Sequence, residues 1–167
     1  MSPPPNQIAV ERGQCREMLV RMPLFAWLKA EHIQMLAAQA AFASYNEGEK
    51  IYSRGSRSEG LYLVASGEVK FVSGHASDPD EQDASTCEAG GCFGELCLIE
   101  PGIRRADAFA SLDTKLFILR IGVLEKFAAR SPDQFAVMVS NLARELARRL
   151  RSLNPKGPAG TGRGQGS

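Results

Sequence analysis

Between Gly91 and Ala108 the chain reads Gly-Cys-Phe-Gly-Glu-Leu-Cys-Leu-Ile-Glu-Pro-Gly-Ile-Arg-Arg-Ala-Asp-Ala. Gly91 and Gly94 let backbone come close to a ligand. Phe93-Gly94-Glu95-Leu96 opens a one-turn helix whose first amides have no acceptor inside the turn. Two arginines, Arg104 and Arg105, follow a Pro101-Gly102 turn. Together these residues form an anion cradle. Glu95 in the same cradle would repel an anion unless its carboxylate accepts hydrogen bonds from another part of the ligand, and a ribose 2′-hydroxyl is a suitable donor. One carboxylate beside one arginine therefore suits a sugar phosphate. Cys92 and Cys97 flank the cradle, and Cys97 is expected as a small buried residue.

Short strands must position that segment. From Phe42 to Leu119 the apolar units are brief and separated by Gly-containing turns: Lys50–Tyr52, Leu61–Ala65, Glu68–Val72, Ser85–Glu88, Ala108–Ser111 and Lys115–Leu119. Ser66-Gly67 joins two of them as a tight turn. The pattern predicts a mainly β fold with flanking α-helices, a jelly-roll-like antiparallel β-roll over about 42–119. Before it, Leu28, Ile33, Leu36 and Ala37 lie at helical spacing within residues 24–40, behind Pro23. After it, helix is expected from Gly122 to about Ala129, then a long helix opening at Ser131-Pro132-Asp133, with Ser131 as N-cap. Residues 1–23 read as an N-terminal extension with a mobile Pro-rich start at 2–6. The acidic run in His75–Asp83 reads as a wet loop, and 154–167, with five Gly and two Pro, as a disordered tail.

The ordered motifs resemble the cyclic nucleotide-binding domain family, which includes catabolite activator proteins, regulatory subunits of cyclic-AMP-dependent kinase and cyclic-nucleotide-gated channels. The similarity runs from about Leu24 to Leu153. It lies in Gly48-Glu49-Lys50-Ile51-Tyr52, Gly60-Leu61-Tyr62-Leu63-Val64, Ser66-Gly67-Glu68-Val69 and the phosphate-binding cassette Phe93-Gly94-Glu95-Leu96-Cys97-Leu98. The resemblance implies that Glu95 binds ribose and that Gly94, Leu96 and Cys97 offer backbone amides to the phosphate. Arg104, nine residues after Glu95 and two before Ala106, would pair with the phosphate. A ten-residue spacing also occurs in the family and would select Arg105, which stands where Ser, Thr or Ala is usual. The resemblance also implies cyclic AMP, with cyclic GMP as the other candidate; the Thr that often holds guanine is absent after the arginine.

In the last helix Phe135, Val139, Leu142, Leu146, Arg149 and Leu153 repeat at four-three spacing, the seam of a two-helix coiled coil, and predict a homodimer through 133–153. The family's equivalent helix closes over the base, so Arg148 or Arg149 would contact a purine. The resemblance implies a receptor that signals to a separate effector protein. A ligand-free dimerisation module is the alternative.

The remaining composition excludes more than it selects. With 20 Lys and Arg against 19 Asp and Glu, global charge draws no polyanion. Four cysteines without a CxxC pair and two distant histidines give no metal site and no metal-dependent hydrolase. Only residues 154–167 follow the long helix, against roughly 70 for a helix-turn-helix unit, so no DNA-binding domain is expected. Without a leader or a membrane-length apolar run, a cytoplasmic, non-membrane protein is expected.

Overall fold

The computed structural model describes residues 5–73, 83–100 and 102–153. Residues 75–82 of the acidic run and the residues after 153, both expected to be unstructured, lie outside the described residues, as do residues 1–4; Asp83, the last of the run, opens a strand.

Among the described residues, eight strands form two four-stranded antiparallel sheets, one ordered β1-β8-β3-β6 and the other β2-β7-β4-β5. The strands are β1 (Ala41–Tyr45), β2 (Lys50–Tyr52), β3 (Gly60–Ser66), β4 (Glu68–Ser73), β5 (Asp83–Glu88), β6 (Cys92–Phe93), β7 (Asp107–Ala110) and β8 (Thr114–Arg120). This is the β-roll expected from the short-strand punctuation. Gly67, at φ 84°, makes the turn between β3 and β4, where a Cβ would stand 2.4 Å from the Asp113 carbonyl oxygen.

Strand β3 shows how alternation builds the core. Leu61 and Leu63 point to the helices, where they meet Phe117 and Leu119 of β8; Tyr62 and Val64 point into the roll with Val69, Phe93, Leu116 and Ile118. Because both faces are covered, the strand is apolar throughout rather than alternating. The helical layer comprises α1 (Pro5–Arg21), α2 (Ala30–Gln39), α3 (Ile121–Arg130) and α4 (Pro132–Leu153).

One expectation needs correction. Residues 5–21 are not a loose extension: Cys15, Met18, Leu19 and Met22 recur at helical spacing, and Cys15 and Leu19 are fully buried in the main core. The helical entry within 24–40 comes in two pieces, because Pro23 starts a 3-10 turn over Pro23–Phe25 and Trp27 breaks the path at φ 71° before α2 begins. Ser131 stands at the N-cap position, its carbonyl accepting from the Phe135 amide at 2.9 Å as Pro132 opens α4, while its hydroxyl bonds His32 Nε2 at 3.0 Å and ties the α3–α4 junction to α2.

Candidate functional site

Strand β6 delivers Phe93 into the roll interior, stacked on Tyr62 at 4.9 Å between ring centroids and edge-on to Phe71 at 5.1 Å. The chain then turns at Gly94, φ 78° and ψ 13°, into a 3-10 turn over Glu95–Leu98. Only glycine serves there, since a Cβ would lie 2.6 Å from Arg104 Nη1 and 2.9 Å from the Gly60 carbonyl oxygen. Cys97 and Leu98 are buried and fix the turn on the core, leaving Leu96 exposed.

The loop before β7 brings Arg104 beneath this turn. Its amide donates to the Ser56 carbonyl and its own carbonyl accepts from Gly55, both at 2.8 Å, which holds the backbone against the β2–β3 loop. The side chain is 7% exposed. Its guanidinium lies over the Tyr52 and Tyr62 rings, 4.3 and 5.1 Å from their centroids, and Nη2 donates to the Gly60 carbonyl at 3.2 Å. Burial pushes the Tyr52 hydroxyl up to about 12, although Arg104 pulls the other way. Among the described residues Arg104 has no carboxylate partner, and its buried Nε has no hydrogen-bond partner; neither has the buried Ser58 hydroxyl. Arg105, next in sequence, is exposed.

Glu95 is also buried, yet it pairs with a different cation. Its Oε1 accepts from Arg149 Nη1 at 2.8 Å, so the far end of α4 reaches across to the cassette. Glu145 organises that end, accepting from Arg149 Nε at 3.3 Å and from Arg148 Nη2. Burial disfavours charge on Arg149, but Glu95 and Glu145 outweigh it and hold the guanidinium above its ordinary value.

A cleft of about 1270 Å³ joins these parts. All the residues singled out from sequence line it: Phe93, Gly94, Glu95, Leu96, Cys97, Arg104, Arg105, Ala106, Arg148 and Arg149. They are not equivalent there, because Arg104 is buried whereas Arg105 and Arg148 stay exposed at the rim. Sequence reasoning did not single out Tyr52, Phe71, Ser58 or Thr86, which also line the cleft. Tyr52 closes a recognised motif, and its role as a platform for Arg104 needed the fold.

The α4 seam also needs correction. Of that row Leu142 is buried and Phe135 and Leu146 pack in part on the main core, so part of it serves this domain. No helix among the described residues is long and apolar enough to cross a membrane.

The cyclic nucleotide-binding domain model matches residues 42–131. Cyclic AMP receptor protein of Thermus thermophilus is 34% identical over 132 residues, covering 79% of this chain and 59% of that protein. Glutaminase 1 of Bradyrhizobium diazoefficiens is 33% identical over 138 residues, 83% of this chain but 22% of the enzyme. The crystal structure of the N-terminal domain of a Streptomyces coelicolor transcriptional regulator superimposes with a TM-score of 0.65 at 30% identity, covering 86% of this chain and 99% of that one.

Proposed function

Because the chain belongs to the cyclic nucleotide-binding domain family, we propose that it is a cyclic nucleotide receptor, with cyclic AMP as its ligand, that signals through α4 to a partner protein. The observation that carries the reading is the buried Arg104 without a carboxylate. A cation held in a low-dielectric site on two tyrosine faces, with its Nε unmatched, is completed by an anion. A cyclic phosphate would enter between Arg104 and the first amides of the Glu95–Leu98 turn. Glu95 keeps a second carboxylate oxygen for the ribose hydroxyl while Oε1 holds Arg149. Arg104 rather than Arg105 takes the phosphate in this arrangement. Catalysis has no part in the reading: the match to glutaminase 1 spans 22% of that enzyme and carries no amide hydrolysis here.

The same contact supplies the signal. A ligand shifts an equilibrium only by interacting differently with two states. Arg149 joins α4 to the carboxylate that would receive the ribose, so occupancy changes what holds the end of the helix. A homodimer through α4 fits with a shifted seam: Val139, Ala143, Leu146, Leu150 and Leu153 keep four-three spacing, and Leu150 and Leu153 are 64% and 76% exposed. This register removes arginine from the seam and leaves Arg149 for Glu95.

Isothermal titration with cyclic AMP and cyclic GMP tests the receptor. Binding at micromolar strength or better, about −8 kcal/mol, is expected for cyclic AMP. No heat with either nucleotide from a folded chain would leave the ligand-free module instead. Sedimentation of wild type against Leu150→Glu tests the dimer.

A further inference from the structure

Trp27 is 86% exposed, and its backbone sits at φ 71°, a conformation that a bulky L residue rarely adopts. The fold enforces this. Nδ2 of the buried Asn141 donates to the Leu24 carbonyl at 3.1 Å and to the Ala26 carbonyl at 2.7 Å, and Gln134 Oε1 accepts from the Lys29 amide at 2.9 Å. Two amide side chains of α4 thus clamp the loop on both sides of Trp27. Among the described residues its ring has no aromatic or cationic partner. A strained and outward-facing aromatic costs free energy and adds nothing to the core, the signature of a residue kept for contact.

The surface beside it is basic. Arg144 Nη1 donates to Asn141 Oδ1 at 2.9 Å, placing its guanidinium one side chain away from the Ala26–Trp27 peptide. Arg148 and Arg151 follow at i+4 and i+7 on the same helical face, all exposed, so the row extends from Trp27 for about 10 Å along α4. Among the described residues the acidic partner along the row is Glu145, bonded to Arg148. At 100° per residue this face lies roughly 150° around the helix from the row of Val139, Leu146 and Leu150, so a dimer through that row leaves it open.

We infer that Trp27 with Arg144, Arg148 and Arg151 is a docking surface for an acidic protein segment bearing an apolar anchor, the carboxylates meeting the arginines and the anchor covering the indole. The assignment rests on the receptor reading for its biological sense, since it names the chemistry of the partner; the surface itself is present without nucleotide. Arginine and tryptophan are the residues that carry most interface energy, and charge complementarity selects an acidic occupant.

Trp27 is the sole tryptophan, so its fluorescence reports on the site directly. The probe is a short amphipathic helical peptide with glutamates beside a row of leucines. Controls are the same peptide with serine for leucine, and a DNA duplex. The expected result is a shift of emission to shorter wavelength with the leucine peptide. Calorimetry should show affinity falling about tenfold or more in Arg144→Glu/Arg151→Glu and in Trp27→Gly. The glycine variant should melt no lower than wild type, because glycine takes this φ without strain. The proposal is overturned if the peptide produces no shift, if the serine peptide or DNA binds as tightly, or if charge reversal leaves affinity unchanged. It is also overturned if emission shifts with protein concentration alone, which would make a second copy the occupant, or if Trp27→Gly melts well below wild type. Cyclic nucleotide titration of the same samples separates the two readings. A chain that binds the peptide but no nucleotide defeats the receptor, and the converse defeats the surface.

Discussion

Arg104 and Arg149 enter one cleft from regions of opposite character. Arg104 comes from a loop bonded on both sides of its peptide, is buried on two tyrosine rings, and meets no carboxylate among the described residues. Arg149 comes from the end of a long helix, is half exposed, and holds two carboxylates. A rigid site with an unmatched charge is built to bind, since no rearrangement precedes the ligand's contact. A half-exposed helix end whose charges already pair is suited to respond, since any ligand touching Glu95 alters its bonds. In the proposed receptor, affinity thus falls to the cassette and readout to α4.

Removing the unmatched charge should produce the largest effect. Arg104→Ala is expected to weaken cyclic AMP binding by roughly 2 kcal/mol or more, and Glu95→Ala by a similar amount, as losses of charge-assisted hydrogen bonds in a buried site. Arg105→Ala should change little, because that side chain is exposed at the rim. Calorimetry on the three variants checks the order, and a harmless Arg104→Ala beside a dead Arg105→Ala would reverse the assignment. Gly94→Ala comes next: a left-handed alanine costs about 1–2 kcal/mol, and its methyl would displace Arg104, so both melting temperature and affinity should drop.

Arg149→Ala should separate the regions cleanly. Surface ion pairs contribute about 0–1 kcal/mol, so affinity should stay within a few-fold of wild type. Nucleotide-dependent hydrogen-exchange protection of residues 145–153 should vanish. Equal loss of affinity in Arg149→Ala and Arg104→Ala would show one binding unit rather than two.

The difference between these regions also governs what the sequence conveyed. The cassette was legible because its chemistry resides in residue types at fixed short spacing: a left-handed glycine, a carboxylate and an arginine within Gly94–Arg104. The roll was legible because Gly67 and its kind punctuate short strands. In α4 two four-three rows share Val139, Leu146 and Leu153, and only packing shows that Leu142 belongs to this domain and that Arg149 turns inward. Helix α1 was hidden because prolines before it suggest disorder, although Cys15, Met18, Leu19 and Met22 carry the right spacing. Trp27 had no signal at all, since its left-handed backbone is imposed by Asn141, 114 residues further along the chain.

The smallest expected effect tests whether the cassette side is as closed as Arg104 implies. Burial pushes the thiols of Cys15 and Cys92 up to about 12 and those of Cys87 and Cys97 to about 11, from an ordinary 9.0. In each case desolvation of the thiolate is the main cause, with Glu95 adding to it around the cleft. A folded-state value raised above the unfolded one means that the folded chain retains protons the unfolded chain has released. The stabilisation is therefore complete below about pH 9 and is lost as pH climbs toward 11–12. Melting temperature should accordingly decline over that alkaline range and stay flat with respect to these groups near neutrality. At about pH 8 the thiols remain protonated, so iodoacetamide should label the folded protein slowly and the denatured protein fast, as mass spectrometry would read. Rapid labelling of Cys92 and Cys97 in the native state would mean that water reaches the back of the cassette. Arg104 would then be a solvated side chain, and its contrast with Arg149 would collapse.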